Sequence, residues 1–211
     1  MAKDHWPNLH DDPYALARLK KSIKACDIRE GHSILDVGCH QEEARQFIPA
    51  GCHYLGLDHL KGDDFDGGFS LHQKFDRILC LEVLEHLMWP RKTLASIASH
   101  LETSGICAIS LPNEATLFHR LRGFLGCIDA EAFGEFGKHL HLPNLQQARS
   151  FVESEFQITH ISYYISPSAC GSRQKLIGLL MKIIPDRIWN LLADSWPSLF
   201  ARGFIFVCKK K

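Results

Sequence analysis

Apolar runs of strand length alternate along the chain with segments of helical spacing, and this alternation constrains the fold more than any other feature. The runs read HSILDVG, CHYLGLD, FDRILCL and GICAISLPN, followed later by FQITHISYYI and RGFIFVCKK. Most of them are apolar on both faces, which is typical of parallel strands covered by helices on both sides. The pattern therefore predicts an α/β protein with a mostly parallel sheet between two helical layers.

Helices are predicted between these runs. Residues 12–27 carry apolar side chains at helical spacing, with Pro13 in the first turn, where proline favours a helix start. The stretch QEEARQFI is interpreted as a second helix, and LPNLQQARSFVESEF as containing another. A further helix is expected to begin near Glu82 and to run, with a break at Pro90, to about His100.

The chain is expected to form a single domain over residues 1–211, since no linker, repeat or low-complexity tract divides it. Two segments interrupt the alternation. Residues 114–138 are rich in Phe and Gly and are expected to form an inserted lid. Residues 172–200 are expected to form one or two apolar helices, broken at Pro185, before the last strand.

The 172–200 segment also carries basic side chains, which are Arg173, Lys175, Lys182 and Arg187. This composition suits a helix that lies on a membrane surface. It suits a substrate lid or a dimer contact equally well, and the plainest interpretation is a helix packed on the core. The sequence does not determine the oligomeric state.

The charge balance limits the partners that we expect. The chain has 24 basic and 24 acidic side chains, so a general nucleic-acid binder with a basic excess is not expected. The eight cysteines show no CxxC spacing and are interpreted as reduced thiols of a cytoplasmic protein. No signal peptide and no uncharged run of transmembrane length is visible, so peripheral contact through 172–200 is the only membrane contact considered.

The run ILDVG ends in a turn that suits a ligand. A glycine at Gly38 lets the backbone approach a bound molecule at the carboxyl end of a strand. Asp58 ends the next strand, where an acidic residue can accept hydrogen bonds from ribose hydroxyls. This pair alone is compatible with NAD, with another adenosine cofactor, or with a purely structural turn in which Asp58 caps a helix.

A third stretch is more specific. FDRILCLEVLEHL followed by WPRKTL resembles a segment of the class I methyltransferases that use S-adenosylmethionine (SAM), in the type-11 branch. This branch includes ubiquinone-pathway O-methyltransferases and many glycan and small-molecule methyltransferases. ILDVGC, YLGLD, SGICAISLPN, KHLHLP and FARGFIFVCKK resemble further family motifs in the family's order. The resemblance covers about residues 30–165 and the last ten.

The resemblance implies a fold, a cofactor and a set of binding residues. The fold is a seven-stranded Rossmann-like sheet, parallel except for one strand, and the cofactor is SAM. Asp36 and Gly38 would line the methionine and ribose end, and Asp58 would hold the ribose hydroxyls. The implied cofactor-binding residues are Asp36, Gly38, Cys39, His40, Asp58, Leu81 and Glu82.

The sequence departs from the family pattern in two places. His40 stands where the family has a glycine that leaves room for adenosine, although histidine tolerates left-handed backbone angles better than most residues. The acids Glu42 and Glu43 that follow suit a helix N-terminus but would repel the SAM carboxylate. The 59–74 segment is too short for a full helix and edge strand, so one strand is expected to be missing or shortened. Asp63, Asp64 and Asp66 are equivalent candidates for reading adenine.

The candidate general bases are His86, His139 and His141. The latter two alternate in KHLHLP, so both would face one side of an extended segment. They suit the acceptor pocket, and a structural role remains an alternative for each. No third metal ligand is visible, so no metal is expected. Arg120 and Arg122 could grip an anionic substrate or simply be solvated.

The sequence therefore predicts SAM-dependent methyl transfer to a small molecule, with a sugar or a lipid-linked intermediate as narrower possibilities. The alternative is a catalytically degenerate member of the family that serves as a binding or scaffold partner. An NAD-dependent oxidoreductase is disfavoured, because the turn lacks GxGxxG and EVLEH has no role in such an enzyme.

Overall fold

The computed structural model describes residues 13–126, 139–164 and 185–211. Within them, six strands form one sheet: β1 (Ser33–Val37), β2 (His53–Leu57), β3 (Phe75–Leu81), β4 (Leu101–Pro112), β5 (Phe156–Tyr164) and β6 (Gly203–Lys210). The helices are α1 (Pro13–Ala25), α2 (Pro90–His100), α3 (Leu117–Phe124), α4 (Leu145–Glu153), α5 (Asp186–Ser195) and α6 (Pro197–Phe200). None of the helices described is long and apolar enough to cross a membrane.

The sheet has the strand order β2-β1-β3-β4-β6-β5. The first four strands in this order are parallel, and β6 runs antiparallel to both β4 and β5. No strand occurs between Leu57 and Phe75, a stretch that the structure describes completely. The predicted Rossmann-like fold is therefore confirmed. The described residues form six strands rather than seven, because the short 59–74 segment contributes none.

Apolar side chains on both faces of the sheet explain why helices cover it. On one face, Leu79 and Ala108 pack with Leu19 and Ile23 of α1. On the other face, the core contains side chains from β1, β3, β4 and β6 together with α2, α4 and α5; examples are Val37, Ile78, Ile109, Phe206, Leu94, Ile97, Val152 and Ala193. This two-sided burial agrees with the doubly apolar strands of the sequence.

The structure corrects two predicted helices. The stretch QEEARQFI forms only a single 3-10 turn at Glu43–Phe47, because Glu42 adopts a left-handed backbone with φ 60°. The helix expected to begin near Glu82 begins at Pro90 instead. Glu82 is also left-handed, with φ 57°, and only a short 3-10 turn at Leu84–His86 follows it.

The predicted inserts lie partly outside the described residues. Of the 114–138 segment, the structure describes α3, and residues 127–138 fall outside it. Of the 172–200 segment, it describes α5 and α6 beyond Pro185, and the rest falls outside it. The lid and membrane-surface interpretations of these segments therefore stay predictions.

Candidate functional site

The carboxyl ends of β1, β2 and β3 meet at one edge of the sheet. The chain passes from β1 to β2 on one side and then returns to place β3 on the other side of β1. Such a reversal leaves a crevice between the loops that follow the two strands, and ligands of doubly wound folds bind there. The turn after β1, Asp58 after β2 and Glu82 after β3 all lie at this edge.

The turn after β1 can contain only glycine at Gly38. Its φ is +76°, and a Cβ there would lie 2.2 Å from Cγ2 of Val83. The backbone N–H groups of Gly38 and Cys39 both donate to the carbonyl of Leu57, at 2.8 and 3.1 Å. The turn is therefore hydrogen-bonded to the end of β2 and packs closely against Val83, just after β3.

Asp58 has a buried carboxylate that already organises this edge. Its Oδ2 accepts a hydrogen bond from the backbone N–H of His40 at 2.7 Å, and its Oδ1 accepts one from Leu60 at 2.9 Å. A carboxylate has about four acceptor positions. Two hydrogen bonds therefore leave acceptor capacity for ribose hydroxyls.

His40 adopts the left-handed conformation that its position predicts, with φ 47°. Its ring Nδ1 lies 2.6 Å from Oε1 of Glu43. The neighbouring Glu42 is paired with Lys61 and Arg45, whose hydrogen bonds lower the pKa of its carboxyl. The negative charge expected to repel a carboxylate is thus largely compensated by local partners.

Asp36 lies inside the protein rather than on the open side of the turn. It is buried, and its Oδ2 accepts a hydrogen bond from the Tyr54 hydroxyl at 2.6 Å. Burial raises the pKa of Asp36 to about 7. The side chain can therefore bear its proton near neutral pH and contribute less repulsion at the site than an ionised acid would.

The three acids of the 59–74 segment have different positions. Asp63 accepts a hydrogen bond from the backbone N–H of Asp58, next to the turn. Asp66 accepts from the backbone N–H groups of Met88 and Trp89, which ties this segment to the start of α2. Of the three, Asp63 is thus hydrogen-bonded directly to the candidate ribose-binding residue.

Glu82 belongs to a network that sequence reasoning missed. Its Oε1 accepts hydrogen bonds from Ser110 Oγ at 3.0 Å and from the Tyr164 hydroxyl at 2.9 Å. Arg18 of α1 lies 3.6 Å from Oε2, and its guanidinium lies over the Tyr164 ring. These residues come from distant parts of the chain, so no local spacing could reveal them. Leu81, beside Glu82, is partly buried and packs against the α1 face.

Two of the three candidate histidines come together. The rings of His86 and His139 meet edge to face with centroids 4.8 Å apart. His139 Nδ1 lies 2.7 Å from Oε1 of Glu114, whose pKa is lowered by this hydrogen bond. The His141 ring instead lies 3.0 Å from the carbonyl oxygen of Leu87.

Glu85, the neighbour of the candidate base His86, is a further candidate for this site. It is 1% exposed, and burial raises the pKa of its carboxyl well above the usual range. Its carbonyl accepts hydrogen bonds from the N–H groups of Leu140 and His141, which joins the turn after β3 to the 139–141 segment.

Arg120, one of the two arginines considered for gripping an anion, has another contact. Arg120 donates from Nε to the carbonyl of Ala115 at 2.7 Å within the exposed start of α3. The Arg122 side chain lies outside the described structure. The solvated alternative therefore describes Arg120 better.

Comparison with known proteins identifies the kind of domain. The sequence matches a family model described as a methyltransferase domain over residues 9–170. No curated protein matches the chain. The N-methyltransferase NodS from Bradyrhizobium japonicum WM9, in complex with S-adenosyl-L-homocysteine, is similar with a TM-score of 0.60 and 11% identity, over 99% of this chain and 93% of that one. Coclaurine N-methyltransferase, bound to N-methylheliamine and S-adenosylhomocysteine, gives a TM-score of 0.58 and 13% identity, over 92% of this chain and 70% of that one.

The YcgJ protein from Bacillus subtilis gives a TM-score of 0.57 and 15% identity, over 93% of this chain and 99% of that one. At such identities, the structures establish the fold. The family match carries the assignment further, because it spans most of the chain and includes the turn after β1 and the EVLEH stretch. The class I methyltransferase resemblance is confirmed, and the chain belongs to the family of methyltransferase domains.

Proposed function

We propose that the protein transfers the methyl group of SAM to a small-molecule acceptor. The observation that carries this proposal is the position of the Gly38 turn and Asp58 at adjacent strand ends, where the strand order reverses. Family membership supports it, and so do the S-adenosylhomocysteine complexes of NodS and coclaurine N-methyltransferase.

The residues at this sheet edge have the chemical properties that SAM binding requires. Gly38 lets the backbone approach the cofactor, and Asp58 retains acceptor positions for the ribose hydroxyls. When bound, SAM supplies a sulfonium methyl that passes to an acceptor nucleophile as the carbon–sulfur bond breaks. The protein's part is then mainly alignment of the two reactants.

The acceptor side is proposed to lie beside the Glu82 network. Tyr164 and Arg18 fix the Glu82 carboxylate there. His86 follows the same strand, and the His139 ring packs against it from the segment before α4. These histidines would flank the acceptor. A sugar or lipid-linked acceptor is a narrower proposal, supported by sequence resemblance to glycan and quinone-pathway enzymes. A cytoplasmic or membrane-peripheral location remains a prediction.

A family member without catalysis is the second candidate function, and one observation favours it. His40 stands where the family has a glycine. Its N–H donates to Asp58, and its side chain contacts Glu43. The histidine side chain leaves less space for adenosine beside the turn than a glycine would. Such a protein would bind a partner rather than turn over SAM.

The decisive experiment is calorimetric titration with SAM and with S-adenosylhomocysteine. The proposal expects micromolar binding that Asp58→Ala abolishes and that His40→Gly strengthens. Glu153→Ala is the control, because this acid ends α4 just before β5 and its carboxylate pairs with Arg149, outside the candidate site. Failure of the wild type to bind either molecule would contradict the enzyme proposal. Recovery of binding in His40→Gly alone would then support the non-catalytic alternative.

A further inference from the structure

Glu85 and His86, which follow β3, form a compact cluster with His139, which lies between α3 and α4. One potential ligand atom from each residue lies within 4.8 Å of the others. Two backbone hydrogen bonds hold the cluster together, because the N–H groups of Leu140 and His141 donate to the Glu85 carbonyl at 2.8 and 3.1 Å. The third ligand that was not visible in the sequence is Glu85, which the fold brings next to His139.

The Glu85 carboxylate gives an independent reason to expect a cation. Both of its oxygens are buried, and neither has a hydrogen-bond partner among residues 13–126, 139–164 and 185–211. A buried carboxylate that lacks hydrogen bonds is costly for a folded protein. The nearest histidine nitrogen, His86 Nε2, lies 3.8 Å from its Oε1, which is beyond normal hydrogen-bond length.

Glu114 orients the third member of the cluster. Its carboxylate lies 2.7 Å from His139 Nδ1, so Nε2 is the ring atom left to act as a ligand. Metal-binding histidines almost always donate their second ring N–H to such an acceptor, which fixes the tautomer and raises ligand basicity. The site therefore has three potential metal ligands and, in Glu114, a carboxylate that orients one of them.

We propose that Glu85, His86 and His139 bind one divalent transition-metal ion, with Zn²⁺ as the best match. Two imidazoles and one carboxylate are a donor set that Zn²⁺ uses in catalytic sites with an open coordination position. Other first-row ions also accept this set. As metal ligands, His86 and His139 would not serve as general bases.

The position of the site points to the class of acceptor, and this step rests on the proposed function. Glu85 and His86 of the cluster follow β3, at the sheet edge that also holds Gly38 and Asp58. A divalent cation binds a hydroxyl oxygen and lowers its pKa. The site therefore favours an acceptor that presents a hydroxyl group.

Metal binding is tested on the full chain, stripped with a chelator, by calorimetric titration with Zn²⁺ and by the absorption spectrum with Co²⁺. We expect one ion per chain, a loss of affinity of about tenfold or more in Glu85→Gln and in His139→Ala, and a smaller loss in Glu114→Gln. His141→Ala is the matched control, because this histidine lies in the same segment but contacts a backbone carbonyl outside the cluster.

The proposal is overturned if the wild type binds no ion, or if His139→Ala binds as tightly as His141→Ala, which would mark adventitious binding by surface histidines. Far-ultraviolet circular dichroism checks that each variant folds. If Glu85→Gln does not fold, the exposed His139 still provides the comparison. No SAM is present in these titrations, so their failure is separate from failure of the cofactor titration.

Discussion

At the scale of single residues, Asp36 carries a pH-dependent contribution to stability. Burial raises its pKa from 3.8 to about 7, so the folded state holds the proton more tightly than the unfolded chain does. The resulting stabilisation is fully present below about pH 4 and is lost as the pH rises through about 7. We therefore expect the unfolding free energy of the wild type to fall over this window relative to Asp36→Asn.

The difference should reach about 1 to 4 kcal/mol, given roughly 1.4 kcal/mol per pKa unit. Urea unfolding at a series of pH values measures it. Groups remote from Asp36 titrate alike in both proteins, so parallel pH profiles for wild type and Asp36→Asn would show that Asp36 titrates normally.

Gly203 is a second residue with a specific task. It pairs with Tyr164 across β5 and β6, and a Cβ at this position would lie 2.0 Å from the tyrosine hydroxyl oxygen. Gly203→Ala must displace the ring and break its hydrogen bond to Glu82. We expect a loss of about 1–3 kcal/mol in the free energy of unfolding.

Two comparisons test this cause by denaturant unfolding. In a Tyr164→Ala background, Gly203→Ala should cost much less, because the clashing ring is gone. Gly67→Ala is the control, since nothing lies within 4 Å of the Cβ position there. Equal costs with and without the tyrosine would rule out the steric explanation.

At the scale of elements, a capping box fixes the start of α4, shortly after the 139–141 segment. Asn144 accepts a hydrogen bond from the Gln147 N–H, and the Gln147 side chain accepts one from the Asn144 N–H, both at 3.0 Å. This reciprocal capping box satisfies two backbone donors. Asn144→Ala should lower the unfolding free energy by about 1 kcal/mol. Gln146→Ala, at an exposed helical position, should change the unfolding free energy little. Equal losses in the two variants would show that the Asn144 cap does not stabilise the helix.

The two wrong helix predictions also belong to this scale. The composition of QEEARQFI favours a helix, but Glu42 bonds Lys61, 19 residues further along the chain, from a left-handed backbone. Near Glu82, the backbone N–H bonds the carbonyl of Ser110 on the neighbouring strand, and its side chain bonds Tyr164. In both places, contacts with distant residues override local helical preference.

At the scale of the whole molecule, the last strand completes the sheet. β6 lies between β4 and β5, although it is the final element of the chain. Its Phe204 and Phe206 side chains are fully buried. A chain that stops after Arg202 should therefore lose cooperative unfolding, because both neighbouring strands lose their partner and the core loses these rings.

Thermal unfolding followed by circular dichroism tests this expectation. A chain that stops after Lys210 is the control, because it removes only the exposed Lys211. If the chain that stops after Arg202 unfolds in a sharp transition with the same midpoint temperature as the control, the remaining strands fold without β6.

The sequence by itself determined the fold class and the family. Strand-length apolar runs predict their own burial, and family motifs such as ILDVG and EVLEH are local, so both can be identified without coordinates. The same local information located Gly38 and Asp58 at strand ends, and it indicated that the 59–74 segment leaves no room for a full helix and strand.

Only the tertiary structure decided how the side chains meet. Arg18, Ser110 and Tyr164 surround Glu82 although they are far apart in the chain, and Glu85 reaches His139 only because the 139–141 backbone bonds the turn after β3. Such contacts depend on strand order and on the path of loops, which no short-range pattern encodes. The physical reason is that a site is assembled from the ends of several strands, whereas periodicity and motifs describe one element at a time.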